Sequence, residues 1–106
     1  MATFTDKPWD GSASRWKNDE TYVEDCLIDL NPPGKPKVKA LGKLPVREPD
    51  GAYNVNAIHA AVAALAGGRG GVQAPPEAKR AAARKLRALY REMKEELPPS
   101  IQRLAL

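Results

Sequence analysis

Three proline pairs, Pro32-Pro33, Pro75-Pro76 and Pro98-Pro99, constrain this 106-residue chain more than any other feature. A proline ring removes a backbone N–H and clashes with the preceding turn, so no helix runs through such a pair. Every helix must fit between these stops or begin at one of them. The ten prolines and eight glycines cluster between the periodic segments, where they act as punctuation. A chain of this length suits one domain and buries roughly two-thirds of its unfolded surface. It is too short to hold a cofactor domain and a substrate domain together.

Between the stops, the hydrophobic spacing predicts three helices. In "NDETYVEDCLIDLNPPG", Asn18 or Asp19 can act as N-cap, and acidic residues in the first turn suit the helix dipole. Tyr22, Val23, Cys26, Leu27 and Leu30 then form an apolar stripe that ends at Pro32. "KPKVKALGKLPVRE" alternates basic and apolar residues and reads as extended. Glu48-Pro49-Asp50-Gly51 is a turn, and "LPVRE" can fold back on "AYNV" as a mini-hairpin. Asn54 and Asn56 are both good N-caps for "AIHAAVAALAG", with Ile58, Val62 and Leu65 on one side and Gly67-Gly68 as the stop. This run is apolar almost all round, which predicts the central, most buried helix. After the loop "GGRGGVQAPPE", a last helix is expected from about residue 76 to 97. Ala82, Leu86, Leu89, Tyr90, Met93 and Leu97 form its buried stripe. The expected fold is therefore mainly α: a small three-helix domain with an extended segment or mini β-hairpin over 43–55, before the central helix. Residues 1–8 are expected as a flexible N-terminal arm, 9–97 as a single helical domain, and 98–106 as a C-terminal tail.

Little in the chain suggests catalysis. His59 is the single histidine, and Ser12, Ser14 and Ser100 lack the strained setting of a nucleophile elbow. One histidine and one cysteine do not make a metal cluster. Cys26 lies on an apolar stripe and reads as a small core residue. Asp50-Gly51 lacks the repeated acidic positions of a calcium loop, and "GGRGG" lacks the lysine and hydroxyl of a phosphate loop. No catalytic, metal or cofactor site is expected, and no small-molecule substrate. Trp9 and Trp16 read as anchors of a flap over the core. The N-terminus has no apolar signal-peptide core, and no apolar run reaches the roughly 18 residues of a membrane span. A protein that is intracellular, or assembled inside a cell, is expected.

The charge is uneven. Residues 1–31 carry three basic and seven acidic side chains, and residues 32–106 carry fourteen basic and six acidic. Arg80, Arg84, Arg87 and Arg91 recur on one side of the last helix, opposite its apolar stripe. With Lys35, Lys37 and Lys39 they form the candidate binding face. Four arginines over about 16 Å of helix could contact phosphates. They could equally be a solvated face, or one that meets the acidic first helix. No aromatic residue interleaves with them, which argues against base stacking.

The stretches "WDGSASRW", "KLPVREPDGAYNVNAIHAAVAALAG", "RGGV" and "AKRAAARKLRALYREM" together resemble the C-terminal region of phage prohead (head maturation) proteases and related prophage proteins. The similarity covers residues 9 to about 97. In that family the protease chemistry belongs to a separate upstream domain, so no catalytic residue is carried over. The resemblance implies a phage-type accessory module acting in protein binding or head assembly, located in the host cytoplasm or the virion. Its partner would be another phage protein or a fused domain. The alternative is a nucleic-acid-binding accessory module that uses the basic last helix.

Overall fold

The computed structural model describes residues 3–67 and 71–106. The middle of the "GGRGG" loop, residues 68–70, lies outside the described residues. Among those described, the fold is mixed α/β, not a mainly α three-helix domain. It has four α-helices and two two-stranded sheets. The chain divides into two compact units, Met1–His59 and Ala60–Leu106.

The first unit corrects the sequence-based expectation most sharply. Helix α1 spans only Asp19–Glu24, and strand β2 follows at Cys26–Asp29. Asn18 is the N-cap, its side chain accepting from the Thr21 N–H at 2.9 Å. The expected stripe misled because Tyr22 and Val23 fit a helix, whereas Cys26, Leu27 and Ile28 are three consecutive buried residues. A continuous apolar run of that kind belongs to a strand covered on both faces. Its antiparallel partner is β3, Gly42–Pro45, with Cys26 opposite Pro45 and Ile28 opposite Lys43.

After β3 the chain makes the expected turn. The Gly51 N–H donates to the Glu48 carbonyl at 2.8 Å, and Gly51 takes a φ of +98°. The returning strand β4, Tyr53–Asn54, meets Arg47 in an antiparallel bridge. On its other side β4 pairs in parallel with β1, Phe4–Thr5, part of the segment expected as a flexible arm. Helix α2, Val55–Leu65, starts directly from β4. Asn54 is its cap: Oδ1 accepts from the Ala57 N–H at 3.1 Å. Asn56 lies inside the first turn and donates to the Asp6 and Lys7 carbonyls. The expected all-round burial of α2 does not hold. Ala57, Ile58, Ala61 and Val62 are buried, Leu65 is half-buried, and His59, Ala60 and Ala63 face solvent.

The first unit's aromatic cluster joins Trp16, Tyr22, Val23 and Cys26, with Trp9 and Ala13 packed against it. Trp16 meets Trp9 and Tyr22 edge-on, with ring centroids 6.3 and 5.0 Å apart, the geometry favoured by ring quadrupoles. Gly42 is fitted into this cluster. A Cβ there would come within 3.2 Å of both the Cys26 Sγ and a Val23 methyl.

The second unit follows its sequence pattern more closely. Helix α3 spans Pro76–Met93 and buries Ala82, Ala83, Leu86, Leu89 and Tyr90. Pro76 sits in its first turn, where a missing N–H costs nothing. It ends four residues earlier than expected because Lys94 turns left-handed, with φ +59°. The Glu95 N–H then bonds back to the Tyr90 carbonyl at 3.0 Å, closing a Schellman-type end. The segment expected as a tail holds helix α4, Pro99–Leu104, which packs on α3 through the fully buried Ile101.

Candidate functional site

Arg80, Arg84, Arg87 and Arg91 do share the exposed side of α3, but they do not act alike. The turn spacing that aligns them also brings Arg84 within reach of α4. Its Nε donates to the Ala105 carbonyl at 3.1 Å and an Nη to the Leu106 carbonyl at 3.3 Å. A cation on the last carbonyls of a helix complements the negative end of its dipole, so Arg84 holds α4 in place. Among the described residues, Arg80, Arg87 and Arg91 form no ion pair or side-chain hydrogen bond.

Arg87 and Arg91 instead border an open groove of about 390 Å³ between α3 and α4. Tyr90, Leu97 and Leu106 give it apolar walls, and Glu95 and Gln102 complete its lining. Tyr90 and Leu97 are buried, whereas Leu106 is 84% exposed. Gln102 donates to the Leu97 carbonyl at 2.5 Å, which pins the connection between the helices. Burial, and secondarily the Glu95 carboxylate, push the Tyr90 hydroxyl above its ordinary pKa, so it stays protonated at neutral pH.

The three lysines expected on the same face belong to the first unit, and two are committed to its structure. Lys37 pairs with Asp29 at 2.6 Å. Lys39 donates through Nζ to the Ala13 and Trp16 carbonyls, each at 2.9 Å, and so ties down the 3-10 turn at Ala13–Arg15. Lys35 is exposed. Counting lysines in the sequence therefore overstates the charge available to a partner.

Sequence reading missed a polar network in the first unit. Asp25 and Glu48 are buried, and Asn54 is fully so. Asp25 accepts from the Trp16 indole N–H at 2.8 Å and pairs with Arg47 at 2.8 Å. Glu48 pairs with Arg15 and accepts from the Asn54 amide at 2.7 Å. The Arg15 guanidinium also lies over both tryptophan rings, 5.8 Å from Trp9 and 5.7 Å from Trp16. A cleft of about 510 Å³, lined by Lys7, Pro8, Arg15, Glu48, Pro49 and Asp50, opens beside this network. Among the described residues, no buried side-chain polar atom lacks a hydrogen-bond partner. The network is thus saturated by its own members and does structural work. These partners lie up to 33 residues apart, so no local spacing announces them.

The remaining candidates are placed as follows. Cys26 is buried, donates to the Tyr22 carbonyl at 3.3 Å, and burial pushes its thiol up to about 12, far from thiolate reactivity. His59 is on the exposed side of α2. Among the described residues, no group of three or more His, Cys, Asp or Glu side chains is placed to hold a metal ion. No helix among them is long and apolar enough to cross a membrane. No protein-family model, curated protein or solved structure matches the chain.

Proposed function

We propose that this chain is a non-catalytic protein-binding module of phage type, acting as an accessory in assembly. The α3–α4 groove carries this reading. It joins an apolar wall with two guanidinia that lack a partner among the described residues. Protein interfaces combine buried aromatic or aliphatic anchors with arginine in this way. The sequence resemblance to the C-terminal region of prohead proteases points the same way and suggests head morphogenesis as the setting. The partner is another phage protein or a fused domain.

The alternative, nucleic-acid binding by the arginine face, is weakened by one observation. Arg84 is occupied by the end of α4. A phosphate ribbon tracking the helix would meet three arginines of that face, not four. Titration against duplex and single-stranded oligonucleotides at two salt concentrations tests this. Binding should be no tighter than micromolar at physiological salt, the level of non-specific attraction. Tight binding lost in the Arg80, Arg87, Arg91→Gln variant, which leaves Arg84 on α4, with a steep salt slope, would replace the protein-binding reading with the alternative.

A further inference from the structure

We infer that the α3–α4 groove accepts an acidic, amphipathic segment of a partner protein. Its carboxylates would sit on Arg87 and Arg91 while an aliphatic side chain enters over Tyr90, Leu97 and Leu106. This inference rests on the protein-binding reading above and deepens it by naming the chemistry of the partner.

The argument begins with spacing. Arg87 and Arg91 stand one helical turn apart, about 6 Å along the axis. Acidic side chains at i and i+4 of a helix, or i and i+2 of a strand, repeat at nearly the same distance. Guanidinium is planar and weakly hydrated and takes a carboxylate through two parallel hydrogen bonds, so it suits a partly dehydrated groove edge better than an ammonium does. Among the described residues nothing in the chain supplies those carboxylates to Arg87 or Arg91.

The groove's walls select for more than charge. Leu106 and Val38 are the exposed large hydrophobic residues among those described, and Leu106 stands at the groove. A volume of about 390 Å³ falls within the roughly 300–1,000 Å³ of typical ligand sites. It suits one or two side chains of a peptide, not a folded domain. The apolar walls favour a peptide over a nucleic-acid backbone, which presents a phosphate at every step and no aliphatic side chain.

A displayed library of random twelve-residue peptides, panned on the intact wild-type chain at physiological salt, tests this. The selected peptides are then titrated by fluorescence anisotropy, and binding is mapped by NMR on the Gln102 side-chain amide and the Tyr90 ring. The expected consensus places Asp or Glu pairs beside Leu, Ile or Met. Affinity should fall at least tenfold in the Arg87→Gln, Arg91→Gln double variant and at least threefold when salt is doubled. Both substitutions lie on an exposed face, and circular dichroism checks that the fold is kept. A consensus that maps to the groove but lacks acidic residues overturns the inference and leaves the protein-binding reading standing. Acidic peptides that bind equally well after the arginines are replaced, or no enriched peptide at all, also overturn it. Failure of every peptide, together with tight arginine-dependent oligonucleotide binding, overturns both.

Discussion

In residues 1–59 the buried set includes two carboxylates and an amide, whereas in residues 60–106 the described buried residues are alanine, valine, leucine, isoleucine and one tyrosine. The first unit holds two-residue and four-residue strands in register by directed contacts. Asp25 joins α1's end to Arg47, and Glu48 joins Arg15 to Asn54. The second unit relies mainly on a stripe along α3 and the buried Ile101 of α4, with Arg84 tying down the end of α4 and Gln102 the link before it. Apolar contact is non-directional, so it suits two helices that can adjust by sliding. Short strands have too few ladder bonds to set their own position, and buried polar partners supply the missing specification. The difference teaches that one small chain can use two ways of ordering itself, with different weak points.

Substitutions can sharpen or break that contrast. The largest effect should come from Leu86→Ala, which removes a fully buried side chain from α3. A loss of about 4 kcal/mol is expected, read by urea unfolding followed through far-ultraviolet circular dichroism. Asp25→Ala should cost about 3 kcal/mol in the first unit, since it leaves the Trp16 N–H without its acceptor and Arg47 without its carboxylate. Asp25→Asn keeps an acceptor for the indole and should cost less. Both tryptophans lie in the first unit, so their emission reports it directly. Equal, negligible losses for the two Asp25 variants would show that the network does not specify the fold.

Gly42→Ala comes next, at about 1–3 kcal/mol, because the new methyl must displace Cys26 or Val23. A smaller effect concerns alkaline pH. Burial raises the Cys26 thiol from its ordinary 9.0 to about 12, and the Tyr22 hydroxyl from 10.0 to about 12. The folded state then holds these protons more tightly than the unfolded one. Stability should be fully present below pH 9 and fall as pH rises from 9 toward 12, by about 1 kcal/mol at pH 10. Cys26→Ala should flatten that slope. The smallest effect should be a gain: Lys94→Gly relieves a left-handed lysine at the end of α3 and should add about 0.5–1 kcal/mol.

These sites also mark what the sequence could announce. The α3 stripe was legible because its residues repeat every turn and meet partners close in sequence. The Gly51 turn and the Asn54 cap were legible because each is a local requirement on one backbone angle or one N–H group. The strand at Cys26–Asp29 was not, since Tyr22, Val23, Cys26 and Leu27 satisfy a helical period as well as they satisfy a turn of helix followed by a strand. Pro98-Pro99 was legible as a stop, yet Pro99 also opens α4, and spacing alone does not separate the two roles. For the candidate site, the shared face of the four arginines followed from spacing. The capture of Arg84 by α4 did not, because it depends on where a second helix ends.

The pairing of Phe4–Thr5 with Tyr53–Asn54 has a consequence for the order in which the protein is built. Ribosomes add roughly 5–20 residues per second. Phe4 therefore waits several seconds after leaving the peptidyl-transferase centre before its partner Tyr53 exists. During that interval the edge of β1 is open to other chains. The Asn54 side-chain amide likewise donates to the Lys7 carbonyl only once residue 54 has been made, tying that segment to the start of α2. Helix α3, by contrast, draws its backbone hydrogen bonds from within four residues, so its ladder partners arrive with it, although its buried stripe still waits for packing. Synthesis thus delivers β1 well before the strand it pairs with, whereas α3 brings its own ladder partners with it.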